Sequence, residues 1–123
     1  MERIEVAKKG TLARGSTTPG VVREKAFEVG GAVFNRSTIA AGVVSGWHHH
    51  GTRDLLGYVI SGSLRLEFGK GGTDSVVVSE GDFFHIPVGL VHRDVNPEGS
   101  ESVVIANLLL GSGESLVNVQ GPG

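Results

Sequence analysis

Cysteine is absent from the 123-residue sequence, which removes disulfides and thiolate metal ligands and leaves redox compartment unread from thiols. Charge is also sparse: the net charge is −2, with lysines and arginines scattered from Arg3 to Arg93 and none in a run longer than Lys8-Lys9. No basic stripe marks a nucleic-acid surface, and no charge block marks a solvating tail. No apolar run approaches the roughly 20 residues needed to span a bilayer. The opening Met1-Glu2-Arg3-Ile4-Glu5 lacks the basic and then apolar layout of a secretory signal. The expectation is a cytoplasmic protein with neither nucleic acid nor membrane as a partner. Helical periodicity is missing too, since no window of a dozen residues repeats apolar positions every 3.6 residues.

Glycine is abundant, at 20 residues, more than twice the usual ~7%. The glycines separate short apolar runs, so the chain reads as many strands joined by tight turns. Strands are expected at residues 21–28, 32–40, 43–50, 55–61, 63–68, 75–79, 82–87, 102–110 and 115–119. Ser63-Leu64-Arg65-Leu66-Glu67-Phe68 alternates as a half-exposed strand does, whereas Val103-Val104-Ile105-Ala106 suits a strand covered on both faces. Nine short strands without a long helix predict an all-β sandwich or barrel. The length suits one domain, residues 1–123, able to bury a core without staples.

All five histidines fall in one window: His48, His49, His50, His85 and His92. Neutral imidazole is the commonest protein ligand for divalent transition metals. On a strand, His48 and His50 project from one face about 6.6 Å apart, with His49 turned away. His92 would join them from a neighbouring strand, giving a metal-binding β-barrel.

The residues around these histidines resemble the cupin family. Gly81, Pro87, Gly89, His92 and Asn96 occupy every fixed position of the second cupin motif, residues 81–96. Gly42, His48, His50 and Gly62 match the first, residues 42–62. The resemblance implies a jelly-roll barrel, or double-stranded β-helix, with one ligand cavity. It also implies a metal at His48, His50 and His92. The family's glutamate ligand is missing: counting back from Gly62 it falls on Leu55, and counting forward from His50 it falls on Asp54. Asp54 is therefore a candidate fourth ligand; the alternative is a loop carboxylate paired with Arg53 or Arg93.

Three imidazoles suit Fe, Zn, Mn, Ni or Cu. The function expected is metal-dependent catalysis on a small organic molecule, by a dioxygenase or by a Lewis-acid isomerase or cyclase. The alternative is a non-catalytic metabolite-binding or sensing protein. Candidate proton-transferring groups are Asp54, His85 and Glu67. His85 lines the pocket mouth or serves as a structural imidazole, while Trp47 and Tyr58 pack in the core and rim or stack on substrate. The pocket is expected to be apolar with few polar contacts. Small single-domain cupins are commonly homodimers, and the N-terminal segment, about residues 1–31, is expected to reach across a partner's sheet edge, or sheets to pack face to face.

Overall fold

The structure, a computed structural model, describes residues 3–97 and 100–122. Among these the chain forms eleven strands and no α-helix: β1 (Ala13–Arg14), β2 (Val21–Val29), β3 (Ala32–Ile39), β4 (His48–His49), β5 (Leu55–Ser61), β6 (Ser63–Phe68), β7 (Asp74–Ser79), β8 (Phe83–Ile86), β9 (His92–Val95), β10 (Val103–Leu109) and β11 (Val117–Asn118). They make two antiparallel sheets, β1-β2-β3-β10-β5-β8 and β11-β4-β9-β6-β7. From β3 onward the chain crosses between the sheets at each step except the β6–β7 hairpin. This is the all-β double-stranded β-helix that the sequence predicts.

The alternation of side chains builds the interior directly. On β5, Leu55, Gly57 and Val59 turn inward while Leu56, Tyr58 and Ile60 stay exposed. Leu64 and Leu66 of β6 and Ile105 and Leu109 of β10 complete much of the core with Ile39, Val59 and Val103. Each such aliphatic side chain contributes roughly 1.5–3 kcal/mol on burial. Gly57 has a packing reason: a Cβ there would fall inside the Phe84 ring of the neighbouring β8.

Four expectations need correction. Residues 43–50 do not form one strand; only His48–His49 do, with a lone bridge from Val44 to Val95. The backbone before them is held by separate bonds instead, Ser45 N to Asp94 O and Gly46 N to Pro19 O. His92 does come from a neighbouring strand, but that strand, His92–Val95, is absent from the expected strands, because its inward side chains His92 and Asp94 are polar and give no apolar alternation. The two-residue β1 was likewise too short to leave a pattern. Finally, β10 is covered on one face only: Val103, Ile105, Asn107 and Leu109 are buried, and Val104, Ala106 and Leu108 are half-buried.

Two buried polar side chains fasten the loops. Arg53 donates from Nη1 to Gly31 O at 2.7 Å and from Nε to Gly113 O at 3.0 Å. Asn96 donates from Nδ2 to Ile39 O at 3.0 Å and to Glu101 O at 2.9 Å, tying the exit of β9 to the end of β3. The N-terminal segment is in place within its own chain, where β2 pairs with β3 and β1 with β2.

Candidate metal centre

His48 of β4 stands directly across from His92 of β9 in the sheet register. His50 follows two residues later on the same face. All three side chains are buried, at 1%, 4% and 2% exposure for His48, His50 and His92. Their ring centroids are 4.3 to 5.4 Å apart. One ring nitrogen from each lies within 4.8 Å of the others.

The backbone sets the tautomer of each ring. Nδ1 of His48 lies 2.9 Å from Gly46 O, Nδ1 of His50 2.9 Å from Ser115 O, and Nδ1 of His92 2.9 Å from Leu90 O. A carbonyl only accepts, so each Nδ1 carries the proton and each Nε2 keeps its lone pair. His50 Nε2 is buried with no hydrogen-bond partner among the described residues. An orphaned buried acceptor is costly unless something fills it. Burial, reinforced by His92, pushes His48 and His50 down to about 3. His92 is also lowered, chiefly by burial. Three neutral, oriented imidazoles with converging lone pairs fit a divalent transition metal, and carbonyl-held Nδ1 atoms are the usual outer support of such ligands.

The cavity they face has about 30 Å³ of free space. Beyond the histidines its wall is mostly apolar, as expected, with Leu55, Leu66, Phe84 and Ile105 among the lining residues, but Arg23, Ser37, Asp94 and Asn107 add more polar contacts than expected. Asp94 Oδ2 lies 3.8 Å from His48 Nε2. Burial raises the Asp94 carboxyl, and the nearby His92 and Arg23 oppose that rise. Asn107 Nδ2 donates to Ser37 Oγ. Strand parity holds the signal for two of these residues: Arg23 follows inward Val21 by two, and Asp94 follows His92 by two. Overall polarity of β2 and β9 hides it.

The remaining candidates lie elsewhere. Leu55 takes the inward position and lines the cavity. Asp54 is outside the histidine group; its Oδ1 is 2.7 Å from Nε2 of His85, and both side chains are about half exposed. Its partner is thus neither Arg53 nor Arg93. His85 turns outward on β8, while Phe84 and Ile86 line the cavity. Glu67 sits on the outer face of β6, accepting from Arg93 Nε at 2.7 Å and pairing with Arg65 Nη2 at 3.0 Å. The Arg93 hydrogen bond holds the Glu67 carboxyl below the usual carboxylate range. The Arg93 guanidinium also lies 4.5 Å from the Trp47 ring centre, so Trp47 packs on that outer face. Tyr58 packs on Phe83, ring centres 4.6 Å apart. His49 accepts from Gly51 N and does not line the cavity.

Comparison with known proteins agrees with this geometry. The profile of the family described as a cupin domain matches residues 35–108. Germin-like protein 3-7 of Oryza sativa subsp. japonica is 36% identical over 99 residues, which cover 72% of this chain and 42% of that protein. The chain thus spans less than half the length of that curated relative. An oxalate oxidase solved in complex with the substrate analogue glycolate superposes with a TM-score of 0.68 at 25% identity, covering 85% of this chain and 57% of that one. The polyketide cyclase RemF from Streptomyces resistomycificus superposes with a TM-score of 0.74 at 19% identity, covering 97% and 85% of the two chains. With the family profile running from within β3 to within β10 and the histidines gathered where β4 and β9 meet, this chain belongs to the cupin family.

Proposed function

We propose that His48, His50 and His92 hold one divalent transition metal, and that the cavity beside them carries out metal-dependent chemistry on a small organic molecule. The observation that carries this reading is the set of three Nδ1–carbonyl bonds, which leaves three lone pairs converging and one of them, on His50, buried without a partner. Neutral ligands leave a divalent ion its full charge, so a bound metal would supply Lewis acidity or, as iron, a site for dioxygen. The chain's own contribution is positional. Leu55, Leu66, Phe84 and Ile105 keep water out, while Arg23, Asp94 and Asn107 offer polar contacts to a ligand. Iron, zinc, manganese, nickel and copper all suit the ligand type. The likeness to an oxalate oxidase supports an oxidoreductase over a Lewis-acid isomerase or cyclase.

The deciding experiment is elemental analysis of the purified protein beside its His48→Ala/His50→Ala variant. Near-stoichiometric metal in the wild type and none in the variant is expected. Turnover is then sought with diketones, thiols and catechols after iron(II) loading. Metal-free protein that takes up no added metal would overturn the reading. Loaded protein that binds ligands without turnover would favour a non-catalytic metabolite binder.

We also propose a homodimer built on the outer face of the six-stranded sheet. Phe34, Leu56, Tyr58, Ile60 and Phe83 are exposed there, beside the half-buried Val104, Ala106 and Leu108 of β10. Contiguous apolar surface of this kind marks an association site.

A further inference from the structure

We propose that Arg23 is the carboxylate-binding residue of the cavity, so that the site takes small organic carboxylates. This rests on the metal reading above and narrows it to a substrate class. Arg23 is 6% exposed and lines the same cavity as the three histidines. Its Nη1 donates to Thr18 Oγ1 at 2.8 Å and to Ser16 O at 3.4 Å. Both side-chain hydrogen bonds of Arg23 come from Nη1; among the described residues none is made by Nε or Nη2, which leaves one edge of the guanidinium fork without a protein partner. A planar carboxylate entering the cavity would give that edge its partner.

The charges in the cavity point the same way. The three imidazoles are neutral, Arg23 carries one positive charge, and Asp94 is the carboxylate beside it. In either protonation form of Asp94, a divalent metal at the histidines would leave the cavity with an excess of positive charge. An anionic ligand is the complement, and the planar fork of arginine matches a carboxylate. The small free space favours a molecule of a few heavy atoms. A purely structural role, as counter-ion to Asp94 and anchor for Thr18, would occupy Nη1 and leave ligand preference untouched.

The test compares pyruvate with its neutral isostere pyruvamide by calorimetry, on metal-free and cobalt(II)-loaded protein, with metal content measured separately. Arg23→Gln is expected to weaken pyruvate binding about 10- to 100-fold, the loss of a hydrogen bond to a charged group. Pyruvamide binding should change by about twofold or less, and Arg23→Lys should fall between wild type and Arg23→Gln, keeping the charge without the fork. Equal pyruvate affinity in wild type and Arg23→Gln, with normal metal content, overturns the assignment and leaves the metal reading standing. Failure to load metal removes the metal reading, and the metal-free titration still decides Arg23. Should both variants fail to fold, the wild type decides: metal-free protein that binds pyruvate no better than pyruvamide overturns the proposal. Inorganic phosphate bound as tightly as pyruvate overturns it as well, by assigning the fork to phosphoryl groups.

Discussion

Asp54 and His85 are joined by a 2.7 Å contact between Oδ1 and Nε2, on the outside of the barrel and away from the three clustered histidines. Both belong to the same outward-facing end of the β5–β8 pair, where Leu56 stands opposite His85. Asp54→Ala should therefore leave metal content unchanged within error. Its stability cost should be about 1 kcal/mol or less, as for exposed ion pairs. Elemental analysis and urea unfolding read the two quantities. A loss of half the metal or more would bring Asp54 into the site.

Removing one of the clustered imidazoles should have the opposite effect. His92→Ala is expected to lower metal affinity about 100-fold or more, at or beyond the top of the range that loss of an outer supporting contact costs, and so to empty the site on purification. Far-UV circular dichroism should stay that of an all-β protein, because Leu64, Val59 and Ile105 of the core lie on other strands. Full metal content in His92→Ala would contradict the proposed ligand set.

Acid should destabilise the metal-free protein over a defined window. His48 and His50 sit at about 3 when folded, against 6.5 for the ordinary group. Between those values the unfolded chain binds protons that the folded chain does not, so stability falls as pH falls. Each histidine contributes a slope on the order of 1 kcal/mol per pH unit. Asp94, raised by burial, acts in the opposite sense. Urea midpoints measured from pH 7 to pH 4 should drop steeply in the wild type and less in His48→Ala/His50→Ala. Parallel curves would contradict this account.

Gly57→Val should displace the Phe84 ring, since even a Cβ has no room there. Overpacking of this kind costs roughly 1–3 kcal/mol. Phe84 lines the cavity, so ligand affinity should fall together with the thermal midpoint. Unchanged stability would mean that the ring has room to move aside.

The apolar outer sheet predicts a mass of two protomers in solution. Tyr58→Glu/Phe83→Glu should halve the mass by light scattering at micromolar concentration, because charges on both rings desolvate poorly in an interface. A monomeric wild type would remove the dimer.

Legibility in the sequence followed apolar contrast. Strand β6 was readable to the residue because Leu64 and Leu66 alternate with the polar Ser63, Arg65 and Glu67, and β5 because its short apolar run ends at Ser61-Gly62. The histidine cluster was readable because imidazoles at i and i+2 share a face. β9 and the inward face of β2 were not, because there the buried residues are His92, Asp94 and Arg23, which look like surface. The extra polar contacts of the cavity were missed for the same reason. A site that works through buried charge erases the pattern by which strands are recognised. The fate of Asp54 could not be read either, since a one-residue slip between Asp54 and Leu55 reverses which of them faces in.

The carbonyl that aims His50 belongs to Ser115, 65 positions further along the chain. The other two imidazoles are aimed by carbonyls only two residues away, at Gly46 and Leu90. Two supports thus need only the local turn, whereas the third needs the far end of the chain to be in place. A chain truncated before Ser115 would carry every imidazole of the cluster and lack the atom that orients one of them. A metal that needs all three aimed imidazoles would therefore report that the end of the chain has closed onto the barrel.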